Sequence, residues 1–181
     1  MGRRPVAREV VPGRVPDATA AVRVGRWRID LTVRESVELP IPRARLARAM
    51  ARAAEAGGAS PPASIALVLT DDAELAELNA AHLGMSGPTD VLSFPMAPEA
   101  APFPGPPGRL PHLGDVAVSV ERAIAQAHEG RGGQTGDVRS SAADELLLLV
   151  THGTLHICGW DHDEPAAEAA MRALERQLLD S

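Results

Sequence analysis

The sequence lacks lysine entirely, and its 181 residues include a single cysteine. One cysteine excludes an intrachain disulfide and is typical of proteins in a reducing compartment. No apolar run approaches the ~18 residues that a membrane-spanning helix requires. Residues 1–20 also lack the apolar segment of a secretory signal peptide. These absences predict a cytoplasmic protein with no membrane association.

Length and composition indicate one domain with its own core. A chain of 181 residues with 45% hydrophobic content can bury a hydrophobic interior. The first residues combine prolines with mixed polarity, which does not favour a packed segment. We therefore expect residues 1–20 to be a disordered extension and residues 21–181 to form a single domain.

All basic charge comes from arginine, and it is distributed unevenly. Residues 1–52 contain twelve arginines against five acids, a net of +7, whereas the remainder contains six against nineteen, a net of −13. The N-terminal part can therefore present a positive face to phosphates. The alternative is that these arginines only solvate a helix. Both interpretations apply to Arg43, Arg45, Arg48 and Arg52.

Three histidines follow one another at a spacing that suits a metal site. His152 and His156 are four residues apart and share one face of a helix. His162 can join them only if the helix ends between, and Gly159 can adopt the left-handed conformation that ends it. Three imidazoles with an open fourth position are typical of catalytic zinc, with nitrogen–metal distances of ~2.0–2.1 Å. The alternative is a histidine cluster without a metal.

The same histidine spacing occurs in metzincin proteases, but one residue differs. In those enzymes a glutamate follows the first histidine and acts as general base. Here that position is Gly153, which has no side chain. The predicted metal ligands are therefore present without the protease base.

Three segments of the chain carry distinctive motifs. The histidine run reads H-G-T-L-H-I-C-G-W-D-H and includes Asp161, residues 88–95 read P-T-D-V-L-S-F-P, and residues 113–116 read L-G-D-V. These segments resemble the YbeY family of bacterial metal-dependent endoribonucleases, whose patterns are H-G-x-L-H-x-x-G-x-D-H, P-T-D-V-L-S-F-P and L-G-D-I. The similarity extends over roughly residues 24–180 in the same order.

This resemblance implies both a fold and an activity. The implied fold is α+β and zincin-like: a single mixed β-sheet layered with helices, with the metal site at the end of a buried helix. The implied activity is a single-strand-specific endoribonuclease that binds one zinc ion per chain and processes the 3′ end of small-subunit ribosomal RNA. Ribosomal RNA and the small ribosomal subunit are the implied partners. Nothing in the sequence indicates an obligate protein partner.

Further residues are candidates for supporting the site. Asp161 can orient a histidine or act as a base, and Glu145 precedes His152 by seven residues on nearly the same helical face. For Glu145 the alternative is a solvent-facing glutamate. Residues matching the family segments are expected to hold the loops around the site or to contact RNA: Thr89, Asp90, Ser93 and Asp115.

One departure from the family pattern concerns cleavage. Family members commonly read L-N-x-x-Y-R, whereas this chain has His82 and Leu83 at the last two positions. Leucine cannot bind phosphate or offset negative charge. Three functional hypotheses therefore remain: a zinc endoribonuclease, a non-catalytic ribosome assembly factor with a structural metal, and a zinc metalloprotease.

Periodicity and capping residues place these segments on strands and helices. The predicted strands are 26–34, 64–69, 91–94 and 116–120, and the predicted helices are 42–56, one after residue 71, 120–129, 142–158 and one from residue 165. Loops are predicted at 97–111 and 130–136.

Overall fold

The computed structural model describes residues 18–87, 89–96, 110–129 and 141–180. In this part of the chain, no helix has the length and apolarity needed to cross a bilayer. The described residues form ten elements, in this order: β1 (Ala18–Val24), β2 (Trp27–Val33), α1 (Arg43–Ala56), β3 (Ala63–Thr70), α2 (Asp72–Leu83), β4 (Val91–Pro95), β5 (His112–Ser119), α3 (Val120–Glu129), α4 (Ala142–Ile157) and α5 (Pro165–Leu179).

The five strands form one mixed sheet in the order β1-β2-β3-β5-β4. β2, β3 and β5 run parallel, while β1 and β4 are antiparallel edge strands. The parallel pairs are joined through helices, because a parallel connection requires a crossover. The predicted α+β architecture with a single mixed sheet is confirmed.

The main core lies between one face of the sheet and helices α1 and α4. Alternate residues of β2 point into it, so Trp27, Ile29 and Leu31 are almost fully buried while their neighbours are more exposed. This is the period of two that a half-buried strand requires. The helices contribute fully buried side chains to the same core, including Leu46, Met50, Leu146 and Val150.

Helix α2 covers the other face of the sheet. Its Leu75 forms a smaller cluster with Leu92 of β4 and Ala117 of β5. The helix starts at Asp71, whose side chain accepts a hydrogen bond from the backbone N–H of Glu74. This cap holds the pKa of Asp71 below its usual value, because the bond stabilises the charged carboxylate.

Helix α4 approaches the sheet most closely at Gly153. A Cβ added there would lie 2.6 Å from Val116 Cγ1 of β5 and 2.9 Å from Val91 Cγ2 of β4. Ser93 of β4 donates a hydrogen bond to the Gly153 carbonyl at 3.0 Å. The absence of a side chain at Gly153 therefore allows α4 to lie directly on β4 and β5.

The predicted elements agree with the structure except at two strands. β1 was not predicted, and its first three residues, 18–20, fall in the segment expected to be disordered; they pair with β2 instead. Residues 1–17 lie outside the described residues, so the prediction for them stays a prediction. β5 begins at His112, four residues before the predicted start, and Val120 belongs to α3. The predicted loops lie outside the described residues, apart from positions 110 and 111.

Replacing Gly153 with alanine should destabilise the protein. The added methyl would overpack the contact with β5, typically at a cost of ~1–3 kcal/mol, against a gain of ~1 kcal/mol in helix propensity. We expect a net loss of about 0–2 kcal/mol in the free energy of unfolding, measured by urea denaturation. The penalty should shrink in a Val116→Ala background, where the clashing methyl is absent. A Gly153→Ala protein more stable than wild type would contradict the close contact.

Candidate metal centre

Two of the three predicted ligands lie on the last turns of α4, which ends in a Schellman motif. Gly159 has a φ of +91°, the left-handed conformation predicted from the sequence. The Trp160 N–H donates to the Leu155 carbonyl at 3.1 Å, and the Gly159 N–H donates to the His156 carbonyl at 3.0 Å. The chain therefore reverses directly after the helix and carries His162 back toward it.

The three histidines converge as predicted. One nitrogen from each of His152, His156 and His162 lies within 4.8 Å of the other two. The Nε2 atoms of His152 and His156 face each other across 3.0 Å. A tetrahedral zinc ion with nitrogens at ~2.0–2.1 Å spaces its ligand atoms by about 3.4 Å, so small ring rotations suffice to fit one. The donor set and its spacing fit a zinc-class ion.

Glu175 of α5 fixes the orientation of one ligand. Its Oε1 lies 2.7 Å from Nδ1 of His152, and the residue is only 7% exposed. When the Nδ1–H donates to this carboxylate, the lone pair is left on Nε2, the atom that faces His156. A carboxylate behind a histidine ligand in this way is typical of zinc sites.

The protonation state of His156 also suits a ligand. Burial, together with the neighbouring rings of His152 and His162, lowers the pKa of His156. The neutral imidazole, which is the form that binds metal, is thereby favoured. Burial raises the pKa of the nearby Cys158 thiol, so it stays protonated. Cys158 packs against the main core.

The histidines form one wall of an open cleft of about 540 Å³. The opposite wall is the stretch that leads into and along β4, residues 89–95, and Leu83 and Trp160 lie at its margins. His162 is exposed, whereas His152 and His156 are half-buried. The side of the cluster that faces the cleft is thus accessible to a substrate.

Asp161 lies in this cleft and stabilises the turn that carries His162. Its Oδ1 accepts a hydrogen bond from the His162 backbone N–H at 2.6 Å. That bond lowers the pKa of Asp161, and a hydrogen bond with Asp163 and the charges of His156 and His162 lower it further. The carboxylate is therefore ionised. The orienting or base role predicted for Asp161 stays a prediction, because this bond goes to the backbone of His162 and not to its ring.

Three of the four loop residues predicted from the family segments line the cleft. Ser93 binds the α4 backbone, and Thr89 donates to the Val91 carbonyl at 3.4 Å. Asp90 accepts a hydrogen bond from the amide of Gln126 on α3 at 3.1 Å, and its backbone carbonyl accepts from the Ser119 N–H. These bonds fix the wall opposite the histidines.

Two predicted supporting residues have other surroundings. Asp115 is not among the residues that line the cleft; its Oδ1 lies 2.8 Å from Nε2 of His112, at the start of β5. Because side chains alternate along a strand, Asp115 points to the face of the sheet opposite the one on which Val116 contacts α4. Asp115 therefore points away from the histidines. Glu145 is 2% exposed, which contradicts a solvent-facing glutamate. The carboxylate at Nδ1 of His152 belongs to Glu175, which the sequence analysis did not identify.

Leu83 lies at the margin of the cleft and is 58% exposed. It is the last residue of α2, just after His82. The His82 ring contacts Phe94 edge to face, with centroids 5.1 Å apart. An arginine at position 83 would therefore face solvent and the cleft rather than the core.

The model of the family described as "Endoribonuclease YbeY" matches residues 34–181. The chain belongs to this family. Among its relatives, the YbeY endoribonuclease of Roseiflexus sp. strain RS-1 is 44% identical over 119 residues, which cover 65% of this chain and 69% of that protein. The YbeY endoribonuclease of Moorella thermoacetica is 39% identical over 74% of this chain and 82% of its own length. A solution structure of TM1509 from Thermotoga maritima is 23% identical, covers 85% of this chain and 87% of its own, and gives a TM-score of 0.48.

Removal of the Glu175 carboxylate should weaken metal binding at this YbeY site. Loss of such an outer carboxylate typically costs ~10–100-fold in metal affinity, so we expect that range for Glu175→Ala. Glu175→Gln keeps an acceptor for the His152 N–H but loses the charge, and it should retain part of the affinity. Zinc affinity can be measured by competition with a chelating dye. Glu168→Ala, on the same helix in a surface pair with Arg172, is the matched control; equal losses in both would contradict the role of Glu175.

Proposed function

We propose that this protein is an endoribonuclease that uses one zinc ion held by His152, His156 and His162. The observation that supports it most directly is the convergence of the three imidazoles at an accessible cleft. Its membership of the YbeY family supports RNA as the substrate. Three protein ligands leave one coordination position for water or substrate, as in catalytic zinc sites.

The chain's own groups have distinct tasks in this proposal. When bound, zinc would activate water and offset charge on the phosphodiester that is cleaved. Glu175 holds the His152 ring so that Nε2 points into the site. Asp161 holds the turn that presents His162. The wall formed by Thr89, Asp90 and Ser93 would position the RNA strand beside the histidines.

The substrate we propose is single-stranded RNA, and specifically the 3′ end of small-subunit ribosomal RNA. The printed names of the relatives support an endoribonuclease. Three further parts of the proposal rest on the resemblance of the sequence motifs to the family. They are ribosomal RNA as the substrate, the small subunit as a partner and a cytoplasmic location. The open cleft is consistent with an extended strand rather than a small molecule.

Gly153 argues against the protease hypothesis. A metzincin-like mechanism requires a glutamate at this position. Even a Cβ atom here would lie 2.6 Å from Val116 Cγ1. The packing of α4 on the sheet leaves no space for a glutamate side chain, so we do not retain this hypothesis.

Leu83 supports the second candidate, a ribosome assembly factor whose metal stabilises the fold. Among the described residues that line the cleft there is no arginine, so phosphate contacts would have to come from the metal ion and the histidines. Such a protein would bind ribosomal particles after metal removal and would not cleave RNA.

Cleavage should depend on the histidine cluster. Replacing His156 with alanine leaves two protein ligands, and we expect the loss of most zinc affinity and of RNA cleavage, measured on purified single-stranded RNA. Removal of the metal from wild type should abolish cleavage, and zinc should restore it. His128→Ala, at an exposed position of α3, is the control. Cleavage that persists in His156→Ala would contradict the proposed mechanism, and no cleavage by wild type would favour the assembly factor.

Leu83→Arg should raise the cleavage rate. A guanidinium at this exposed position could reach an RNA phosphate, and a charge-assisted contact is worth ~1.5–3 kcal/mol, or roughly ten- to a hundred-fold in rate if it strengthens in the transition state. Because Leu83 is 58% exposed, stability should change little. Ile124→Arg is the control for the added charge, because Ile124 is also an exposed hydrophobic residue but lies on α3. Equal rates for the two variants would show that an arginine at position 83 is not needed.

A further inference from the structure

The metal cleft is poorly suited to attract an RNA backbone by itself. The described residues lining it include the carboxylates of Asp90 and Asp161 but no arginine, and the sequence has no lysine. Most of the affinity of proteins for nucleic acids comes from cationic side chains that contact phosphates. A nuclease with this cleft therefore requires a basic surface elsewhere.

Several of the described arginines are already engaged with acids. Their guanidinium groups lie within hydrogen-bonding distance of carboxylates, which reduces their availability to phosphates. These pairs are Arg28 with Asp30, Arg34 with Glu74, Arg122 with Asp72, and Arg172 with Glu168.

Helix α1 presents arginines in a different setting. Arg45, Arg48 and Arg52 follow one another at helical spacing, so they share one exposed face. They line a groove of about 250 Å³ between α1 and the helices α4 and α5. Within the described ranges, neither Arg45 nor Arg48 has an acidic partner. The sequence had left open whether these arginines only solvate the helix; the groove shows that they converge.

The other side of the groove is suited to a sugar-phosphate chain. It is formed by the side chains of Leu147 and Thr151 on α4 and of Leu178 and Leu179 on α5. Apolar carbons there can pack against ribose while the guanidinium groups face the phosphates. Planar guanidinium groups bind phosphate oxygens in a bidentate manner, which a lysine cannot do.

We propose that this groove, the α1 groove, binds the phosphate backbone of single-stranded RNA at a site separate from the metal cleft. The inference rests on the proposed nuclease function for the identity of the RNA. The groove supplies the cationic contacts that the cleft lacks, so it contributes to substrate affinity rather than to bond cleavage.

The α1 groove adjoins the metal centre through two helices. On α4, Thr151 lines the groove and the next residue, His152, belongs to the metal cluster. On α5, Glu175 contacts His152, and Leu178 lies one turn further along the same face, roughly 5 Å away. A strand longer than a few nucleotides can therefore occupy both sites.

The test compares two pairs of arginine substitutions in otherwise intact, zinc-loaded protein. The double variant Arg45→Gln/Arg48→Gln removes two charges from the groove. Its control is Arg23→Gln/Arg26→Gln, which removes two charges from exposed positions in and after β1. RNA affinity is measured by fluorescence anisotropy at several salt concentrations, with a single strand longer than a ~4–16 nucleotide binding site.

We expect the groove variant to bind about ten-fold more weakly at low salt, with a slope of log K against log salt reduced by about 1.4, or ~0.7 for each lost phosphate contact. The control pair should change both quantities little. Arg45→Lys/Arg48→Lys keeps the charge but not the bidentate geometry, so it should restore the salt dependence and part of the affinity. All these positions are exposed, so thermal midpoints should match wild type.

The outcomes separate this inference from the proposed function. If the two glutamine pairs weaken RNA binding equally, or if the lysine pair binds as weakly as the glutamine pair, the α1 groove is not the phosphate site, although RNA cleavage would still support the nuclease. If wild type binds RNA through the groove but never cleaves it, the groove stands and the nuclease proposal fails.

Discussion

The contact between Gly153 and the sheet is the constraint on which the metal centre depends. Because no Cβ separates α4 from Val91 and Val116, the helix lies directly on β4 and β5. This position places His152 and His156 opposite the residues of β4 that form the other wall of the cleft. The reversal at Gly159 then returns His162 to the same point. One position without a side chain and one left-handed residue thus bring the site together.

Local sequence was sufficient to predict the histidine site because its determinants are local. Ligand spacing, the glycine that ends the helix and the alternating residues of β2 are all read within short segments. Glu175 was missed because it lies 23 residues from His152 on another helix. The sequence nevertheless contains a pattern that could have identified Glu175. It shares the face of α5 that the apolar residues Met171 and Leu178 define, and an acid on an apolar, buried face requires a hydrogen-bonding partner. β1 was missed because its alanine-rich segment follows a proline-containing stretch, and only its pairing with β2 reveals a strand.

The arginines illustrate what composition can and cannot predict. The excess of arginine in residues 1–52 indicated a positive face, but Arg28 is paired with Asp30 and Arg34 with Glu74, an acid forty residues away. Only the tertiary structure distinguishes these paired arginines from Arg45 and Arg48. The surfaces of α4 and α5 that face Arg45 and Arg48 contribute leucines and a threonine, so these two guanidinium groups remain available to phosphates.

A cationic RNA-binding groove that is separate from the cleft where cleavage occurs offers a physical account of the leucine at position 83. A cation beside the reacting phosphate increases both substrate affinity and transition-state stabilisation, and only the second raises the rate of the chemical step. If the α1 groove supplies affinity at a neighbouring surface, loss of the arginine beside the metal removes only its contribution to the transition state. In the proposed mechanism, a zinc ion held by three neutral imidazoles would keep its double positive charge at the cleft, so the chemistry would be slowed rather than lost.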